Sequence, residues 1–212
     1  MKKHSVSKGL TIIFYLFVYQ LCTIPFIVGM AISNHIGYLI ITAISLVIFG
    51  FFLYSLWKYF KKDFSFKVNV TKKIPLELAI FIVAIIVIGY ASEFFPESGN
   101  QKMVLDQLHN NTINAVLTSV FLGPIAEELI FRGLIAKLFF PKITDYKTAF
   151  WYILVSSLAF GFAHVTSLSL TIIPYILMGV VLSLAYVRFG NIRYSIFLHF
   201  LNNLIATILV IL

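Results

Sequence analysis

One stretch of the sequence decides the fold, and it reads Gly123-Pro124-Ile125-Ala126-Glu127-Glu128-Leu129-Ile130-Phe131-Arg132-Gly133. Three ionisable side chains, Glu127, Glu128 and Arg132, lie within it, and the sequence on either side is apolar and nearly uncharged. Ionisable groups inside a membrane span are costly, and they usually face the interior of a helix bundle and serve a function. The stretch therefore predicts a membrane helix with a buried polar face.

The composition of the chain is typical of an integral membrane protein. Of its 212 residues, 60% are hydrophobic and only 11% are charged, whereas a soluble domain carries about 25% charged residues. The mean hydropathy is +0.98. The apolar runs are long and continuous and lack the period-2 alternation of a membrane barrel, so the spans are helices. We predict an all-α polytopic bundle that forms a single integral-membrane domain over residues 1–212.

Seven transmembrane helices are predicted from the apolar runs. They cover Leu10–Ile32, Ile36–Trp57, Ile74–Phe95, Thr112–Phe139, Thr148–His164, Leu168–Arg188 and Tyr194–Leu212. With the N-terminus in the cytoplasm, 14 of the 16 Lys and Arg residues fall on the cytoplasmic side, as the positive-inside rule requires. The loop Ser92–Asn111 then lies outside, and residues 10–95 form three accessory N-terminal helices.

The net charge of +8 does not indicate a nucleic-acid partner. The basic residues lie between the apolar runs, which is typical of loops on the inner side of a membrane protein. Cys22 is the only cysteine, so the chain offers no disulfide framework or zinc knuckle. Membrane lipid is the expected surrounding, and the protein is expected to be a multi-pass protein of the cell membrane.

The spacing of the three ionisable residues separates their roles. Glu128 and Arg132 are four residues apart, so they are neighbours on a helix surface and are expected to form an ion pair. Successive residues differ by about 100° around a helix, so Glu127 faces another way and has no partner on its own helix. Such a carboxylate is a candidate general base, and Pro124 just before it loosens the helix.

Further polar residues interrupt the later spans. His164 ends the fifth span, and His199 and Asn203 share one face of the seventh. Each alone would be read as a polar contact between helices. Together with Glu127 they supply a base, two imidazoles and an amide on three helices. That set is typical of a hydrolytic site, with a water activator and donors for an oxyanion.

The depths of these residues do not agree if every helix stands upright. Counted at about 1.5 Å per residue from the nearest inner-side basic residue, Glu127 lies about 15 Å deep, His199 about 9 Å and His164 about 25 Å. The three side chains can meet only if the fifth helix is tilted or if part of residues 141–150 does not span.

Three motifs in this order resemble the CAAX prenyl protease and bacteriocin-processing (CPBP, or Abi) family of intramembrane proteases. They are Glu127-Glu128-Leu129-Ile130-Phe131-Arg132, Phe160-Gly161-Phe162-Ala163-His164 and His199-Phe200-Leu201-Asn202-Asn203. Each motif is weak alone, but all three in order on membrane helices are specific. They define a protease-like core over roughly residues 112–205, while the first three spans match only as hydrophobic helices.

The resemblance implies an intramembrane endopeptidase that cuts a peptide or a membrane-anchored protein. It implies that Glu127 and His164 activate water and that His199 and Asn203 hold the oxyanion, with the neighbouring ion pair in support. Bacterial members of the family are linked to bacteriocin self-immunity and peptide maturation. A bacterial plasma membrane and a peptide substrate, rather than a prenylated one, are therefore expected.

The resemblance leaves the metal dependence open. The family has been described as zinc metalloproteases, and Glu127, His164 and His199 could bind zinc with one position left for water. Metal-free, glutamate-dependent chemistry needs the same residues, and it is the interpretation we prefer.

Two other functions are compatible with the same helices. A non-catalytic bacteriocin-immunity or scaffold protein could keep the fold, but a binding protein has no need for all four polar residues of the site. An ion or proton transporter could use the buried Glu and His residues, but the sequence contains no inverted repeat to support it.

Overall fold

The protein, described by a computed structural model, is built almost entirely from helices, which confirms the predicted all-α membrane bundle. The structure describes residues 2–32, 34–62, 66–68, 70–165 and 169–212. The helices are α1 (Lys2–Met30), α2 (His35–Lys61), α3 (Ile74–Ser92), α4 (Gly99–Asn110), α5 (Thr112–Phe139), α6 (Tyr146–Ala163), α7 (Ile172–Phe189) and α8 (Ile192–Ile211). Two short strands, β1 (Lys67–Val68) and β2 (Lys142–Ile143), complete the fold.

Within the described ranges, six helices are long and apolar enough to cross a membrane: α1 over Ser7–Gly29, α2, α3, α5, α7 and α8. The predicted fifth span, Thr148–His164, is helical as α6, but it is not among the six. Its first turn contains Tyr146 and Lys147, which lower its hydropathy. Leu168, the predicted start of the sixth span, lies outside the described residues.

The predicted outer loop Ser92–Asn111 is wrong in one respect, because it contains the helix α4. The Ser98 hydroxyl begins this helix by accepting a hydrogen bond from the Gln101 N–H at 3.0 Å, a common N-cap arrangement. The helix has 12 residues, too few to cross a bilayer. The residues Gly99–Asn110 are mostly polar, so they do not form one of the long apolar runs from which the helices were predicted.

Two parallel strands tie the inner-side loops together. Lys67 lies opposite Lys142, so the segment after α2 is joined to the segment after α5. The end of α7 reaches the same place, because Gly190 has φ 63° and a Cβ there would lie 2.5 Å from Val70. A left-handed glycine is the common way to end a helix. Asp145 caps α6 nearby, and the Thr148 N–H holds the pKa of that carboxyl below its usual range.

The helix α5 forms the centre of the bundle. Half of it is buried, compared with 6% of α3, and it packs against α1, α2, α6 and α8. Large apolar side chains on the outer helices point away from it, and Phe51 and Tyr90 are both 72% exposed. Such a surface suits hydrocarbon rather than water. The polar stretch Gly123–Gly133 therefore lies in the buried centre of the helix bundle.

The helices α6 and α7 pack closely through small residues. A Cβ on Gly179 would lie 2.8 Å from the Cα of Ser157, and the Ser183 hydroxyl donates to the Ser156 hydroxyl at 3.0 Å. Small residues at such positions allow the backbones of membrane helices to approach.

Candidate active site

The helix that contains the two glutamates departs from regular α geometry on both sides of them. It is π-helical over Leu117–Leu122 and again over Leu129–Leu134, and the segment Gly123–Glu128 between them is α-helical. π segments inside membrane and soluble helices occur frequently at functional sites. Gly123 is required at the first junction, because a Cβ there would lie 2.7 Å from the carbonyl oxygen of Thr118.

The helix α6 provides hydrogen bonds to the second π segment. The Ser156 hydroxyl donates to the Phe131 carbonyl at 2.8 Å, and the Tyr152 hydroxyl donates to the Arg132 carbonyl at 3.3 Å. Both side chains are fully buried, so these carbonyls are satisfied without water. These contacts hold α6 against α5, and His164 directly follows the last residue of α6.

Glu128 and Arg132 form a fully buried ion pair. Arg132 Nη1 lies 2.8 Å from Glu128 Oε1, and both side chains are 0% exposed. Arg132 also donates to the Gly179 carbonyl at 3.2 Å, and its guanidinium lies 4.4 Å from the centre of the Phe160 ring. The same Oε1 faces His199 Nδ1 at 2.9 Å.

The ion pair leaves two polar atoms without partners. Among the described residues, Glu128 Oε2 and Arg132 Nε are buried and make no hydrogen bond. A buried ion pair contributes to stability only when its remaining polar atoms are satisfied. The arrangement is therefore better suited to holding His199 in place than to stabilising the fold.

Glu127 contacts side chains from three other helices. Its Oε1 accepts a hydrogen bond from the Tyr19 hydroxyl of α1 at 2.9 Å. Its Oε2 lies 3.4 Å from His164 Nε2 and 3.7 Å from His199 Nε2. The side chains of Glu127 and His164 are each 14% exposed and that of His199 is 5% exposed, so the cluster is nearly enclosed but still reachable.

Hydrogen bonds at Nδ1 determine which nitrogen of each histidine carries the proton. His164 Nδ1 lies 2.7 Å from the Phe160 carbonyl, and a carbonyl oxygen only accepts, so this nitrogen carries the proton. His199 Nδ1 donates in the same way to the Glu128 carboxylate. Tyr175 stacks on the His164 ring, with 4.9 Å between ring centres. Both rings therefore present Nε2 to Glu127.

Asn203 is engaged with the backbone of α5. Its Nδ2 donates to the Ser119 carbonyl at 2.8 Å, and its Oδ1 accepts from Asn202 at 3.1 Å. The Ser119 carbonyl needs this donor, because in a π segment it would bond to the N–H five residues later, and Pro124 has none. In the described part of the chain, Asn203 makes no hydrogen bond to Glu127 or to either histidine.

The structure brings three of the four predicted site residues to one point, Glu127, His164 and His199. The depth discrepancy disappears because α6 begins at Tyr146, directly after the strand pair, and still reaches Glu127. His164 lies 3.4 Å from Glu127, so depths counted along upright helices do not apply to α6. The fourth residue, Asn203, lies one helical turn beyond His199 on α8.

Tyr19 is the site residue that the sequence did not predict. Its helix also contains Thr11, Tyr15, Gln20 and Thr23, so the Tyr19 hydroxyl does not stand out in the sequence. Tyr175, whose hydroxyl lies 2.6 Å from the Ser98 hydroxyl, was also not predicted, because its place beside His164 depends on how the helices pack.

The donors at the cluster have the chemistry that zinc prefers. Zinc-binding histidines usually donate their second N–H to a carboxylate or carbonyl, as His164 and His199 do here. As arranged, however, no group of three His, Cys, Asp or Glu side chains in the described ranges could hold a metal ion. The zinc site that the sequence allows at Glu127, His164 and His199 stays a prediction, and the steps proposed below use only side chains of the chain.

The polar core is similar to known proteins. Residues 109–205 match the family described as type II CAAX prenyl endopeptidase Rce1-like. A Bacillus subtilis (strain 168) protein named "Putative membrane peptidase YdiL" is 31% identical over 113 residues, which are 53% of this chain and 43% of that protein. An Escherichia coli protein named "Uncharacterized 24.3 kDa protein" is 29% identical over 124 residues, 58% of this chain and 56% of that protein.

The chain spans about half the length of these curated relatives. No solved structure matches it. The segment that matches the family, residues 109–205, contains Glu127, both histidines and Asn203, but it does not include Tyr19.

Proposed function

We propose that this chain belongs, through residues 109–205, to the CAAX prenyl protease and bacteriocin-processing family and that it is an intramembrane endopeptidase. One observation carries the proposal. Glu127 Oε2 faces His164 Nε2 at 3.4 Å and His199 Nε2 at 3.7 Å inside a helix bundle. A carboxylate between two imidazoles is suited to moving protons in hydrolysis.

In the proposed reaction Glu127 and His164 activate a water molecule. His164 Nε2 accepts one hydrogen bond from the water, since its Nδ1–H is already given to a carbonyl. Glu127 Oε2 takes the proton as the water oxygen bonds to the carbon of the scissile peptide. The carbonyl electron pair moves onto its oxygen to form the oxyanion.

His199 and Asn203 are the proposed donors to that oxyanion. Protonated at both nitrogens, His199 would donate through Nε2 while Nδ1–H remains bonded to Glu128. Asn203 has two N–H bonds on Nδ2, and one is given to the Ser119 carbonyl, which leaves the other for the substrate. When the C–N bond breaks, Glu127 returns its proton to the leaving nitrogen.

The proposed substrate is a peptide or a membrane-anchored protein that enters from the bilayer or from the cytoplasmic side. The proposed location is the bacterial plasma membrane. Two relatives support this choice, because they come from Bacillus subtilis and Escherichia coli and one is named as a membrane peptidase.

The proposal is tested by a single isosteric change. Glu127→Gln keeps the size of the side chain and removes the base. We expect wild-type protein, expressed in a bacterial host, to create new protein termini in the membrane fraction, measured by mass spectrometry of chain ends. The variant should reduce their rate of formation by about 10²- to 10⁴-fold.

The matched control is Glu97→Gln, which makes the same change at an exposed loop position. It should leave every cleavage unchanged. If wild type and Glu127→Gln give the same set of termini, the protein is not a glutamate-dependent protease.

A further inference from the structure

The first accessory helix contributes directly to the candidate site. The Tyr19 hydroxyl of α1 donates to Glu127 Oε1 at 2.9 Å. The two residues are 108 positions apart in the chain. Tyr19 also lies outside residues 109–205, the segment that matches the family. A contact of this kind cannot be inferred from the three motifs.

The surroundings of Tyr19 hold its hydroxyl at this point. Its ring stacks on Phe52, with 6.3 Å between ring centres, and meets Phe49 edge-on at 6.0 Å. On the other side Gly123 leaves room for the hydrogen bond. A Cβ on Gly123 would lie 3.3 Å from the Tyr19 hydroxyl oxygen and 3.5 Å from Glu127 Oε1.

The hydrogen bond gives the two oxygens of the Glu127 carboxylate different contacts. Oε1 is occupied by Tyr19, and Oε2 is left to face both histidines. Without the hydroxyl, Oε1 would lose its hydrogen bond from Tyr19, and a buried carboxylate oxygen without a donor turns toward other donors. The base would then lose its orientation toward the water.

We propose that Tyr19 is a positioning residue for catalysis, which fixes the rotation of the Glu127 carboxylate so that Oε2 faces the two histidines. The inference rests on the proposed protease function. It assigns a role in the active site to a helix outside the matched segment. Residues 109–205 therefore lack one part of the machinery, and α1 completes it.

The test uses the full-length protein and the variant Tyr19→Phe, which keeps the ring contacts and removes only the hydroxyl. The probe is a synthetic peptide that spans a cleavage site identified by comparing wild type with Glu127→Gln. We expect kcat to fall about 10- to 100-fold, the usual effect of losing one hydrogen bond to a charged group. KM should change less than about threefold, because the proposed role of Tyr19 acts through Glu127 and not on substrate binding.

Tyr15→Phe is the matched control, since Tyr15 lies one turn away on the same helix and also packs on Phe52. It should leave kcat unchanged. Placing 4-aminophenylalanine at position 19 returns a donor N–H to the same site and should recover most of the lost kcat.

The outcomes separate the two proposals. If wild-type cleavage does not depend on Glu127, the proposed function fails and the role of Tyr19 fails with it. If cleavage depends on Glu127 but Tyr19→Phe keeps the wild-type kcat, only the role of Tyr19 is overturned. It is also overturned if the 4-aminophenylalanine variant is as slow as Tyr19→Phe, or if Tyr15→Phe is equally slow, since the loss would then reflect packing.

Discussion

Replacing Arg132 with methionine isolates the contribution of the buried cation. Methionine fills much of the same volume, so the change removes charge rather than packing. Arg132 is fully buried, and it donates to Glu128 at 2.8 Å and to the Gly179 carbonyl at 3.2 Å. The variant leaves Glu128, which is also fully buried, with His199 as its remaining hydrogen-bond partner.

The expected loss of stability is large for a single substitution. Removing one partner of a buried ion pair costs about 3–5 kcal/mol, because the other charge stays buried without compensation. For a chain of 150–250 residues, 1 kcal/mol shifts the unfolding midpoint by about 2–4 °C. Arg132→Met should therefore lower the Tm by about 6–20 °C.

The chain contains its own reporter for this measurement. Cys22 is the only cysteine, and it is 7% exposed in the folded protein. A thiol-reactive fluorescent dye will label it only on unfolding, so its fluorescence on heating gives the Tm in detergent. Arg193→Met, at an exposed position, is the matched control and should shift the Tm by less than about 2 °C, as surface substitutions usually do.

A double variant tests the electrostatic explanation. Glu128→Gln keeps an oxygen that can accept from His199 Nδ1, and it removes the buried negative charge. Combined with Arg132→Met, it should recover at least half of the lost Tm, because neither charge is then left alone. A Tm for Arg132→Met within about 2 °C of wild type would refute the reasoning. So would a double variant that is less stable than Arg132→Met.

Two further predictions concern packing and metal. Gly179→Ala should lower the Tm by about 2–12 °C, the effect of overpacking by 1–3 kcal/mol, because its Cβ would lie 2.8 Å from the Cα of Ser157. Gly50→Ala, with nothing within 4 Å of the new Cβ, should not lower it in the same dye assay, and an equal loss would argue against the helix contact. Cleavage of the probe peptide should persist in EDTA or 1,10-phenanthroline, because the proposed base is the Glu127 carboxylate and the proposed oxyanion donors are His199 and Asn203. Full loss of cleavage that zinc restores would require a metal-dependent mechanism instead.

The local part of the site could be predicted from spacing alone. Glu128 and Arg132 are four residues apart, and that distance is enough to predict their ion pair, which the structure contains at 2.8 Å. The same helix spacing predicts that Glu127 and Arg132 lie on different faces of the helix. Helix spacing works here because the contact depends on one helix and not on how helices pack.

The contacts between distant helices could not be predicted in this way. Tyr19 is one of 11 tyrosines, and nothing near it in the sequence distinguishes it, because its role depends on how α1 packs against α5. His199 and Asn203 share one face of α8, but their spacing does not predict that Asn203 donates to the Ser119 carbonyl. Pro124 was visible as a weak point of the helix, but the group that satisfies the carbonyl it frees was not.

The π segment Leu117–Leu122 makes the hydrogen bond between Asn203 and the Ser119 carbonyl depend on the number of residues in α5. In an ordinary α-helix, Pro124 would free the carbonyl four residues earlier, that of Val120, whereas in the π register it frees that of Ser119. One residue more or fewer between Asn114 and Pro124 would therefore change which carbonyl Asn203 can bind. Insertions and deletions are usually harmless because they fall in surface loops. In this protein, we expect a length change inside α5 to disturb the proposed active site.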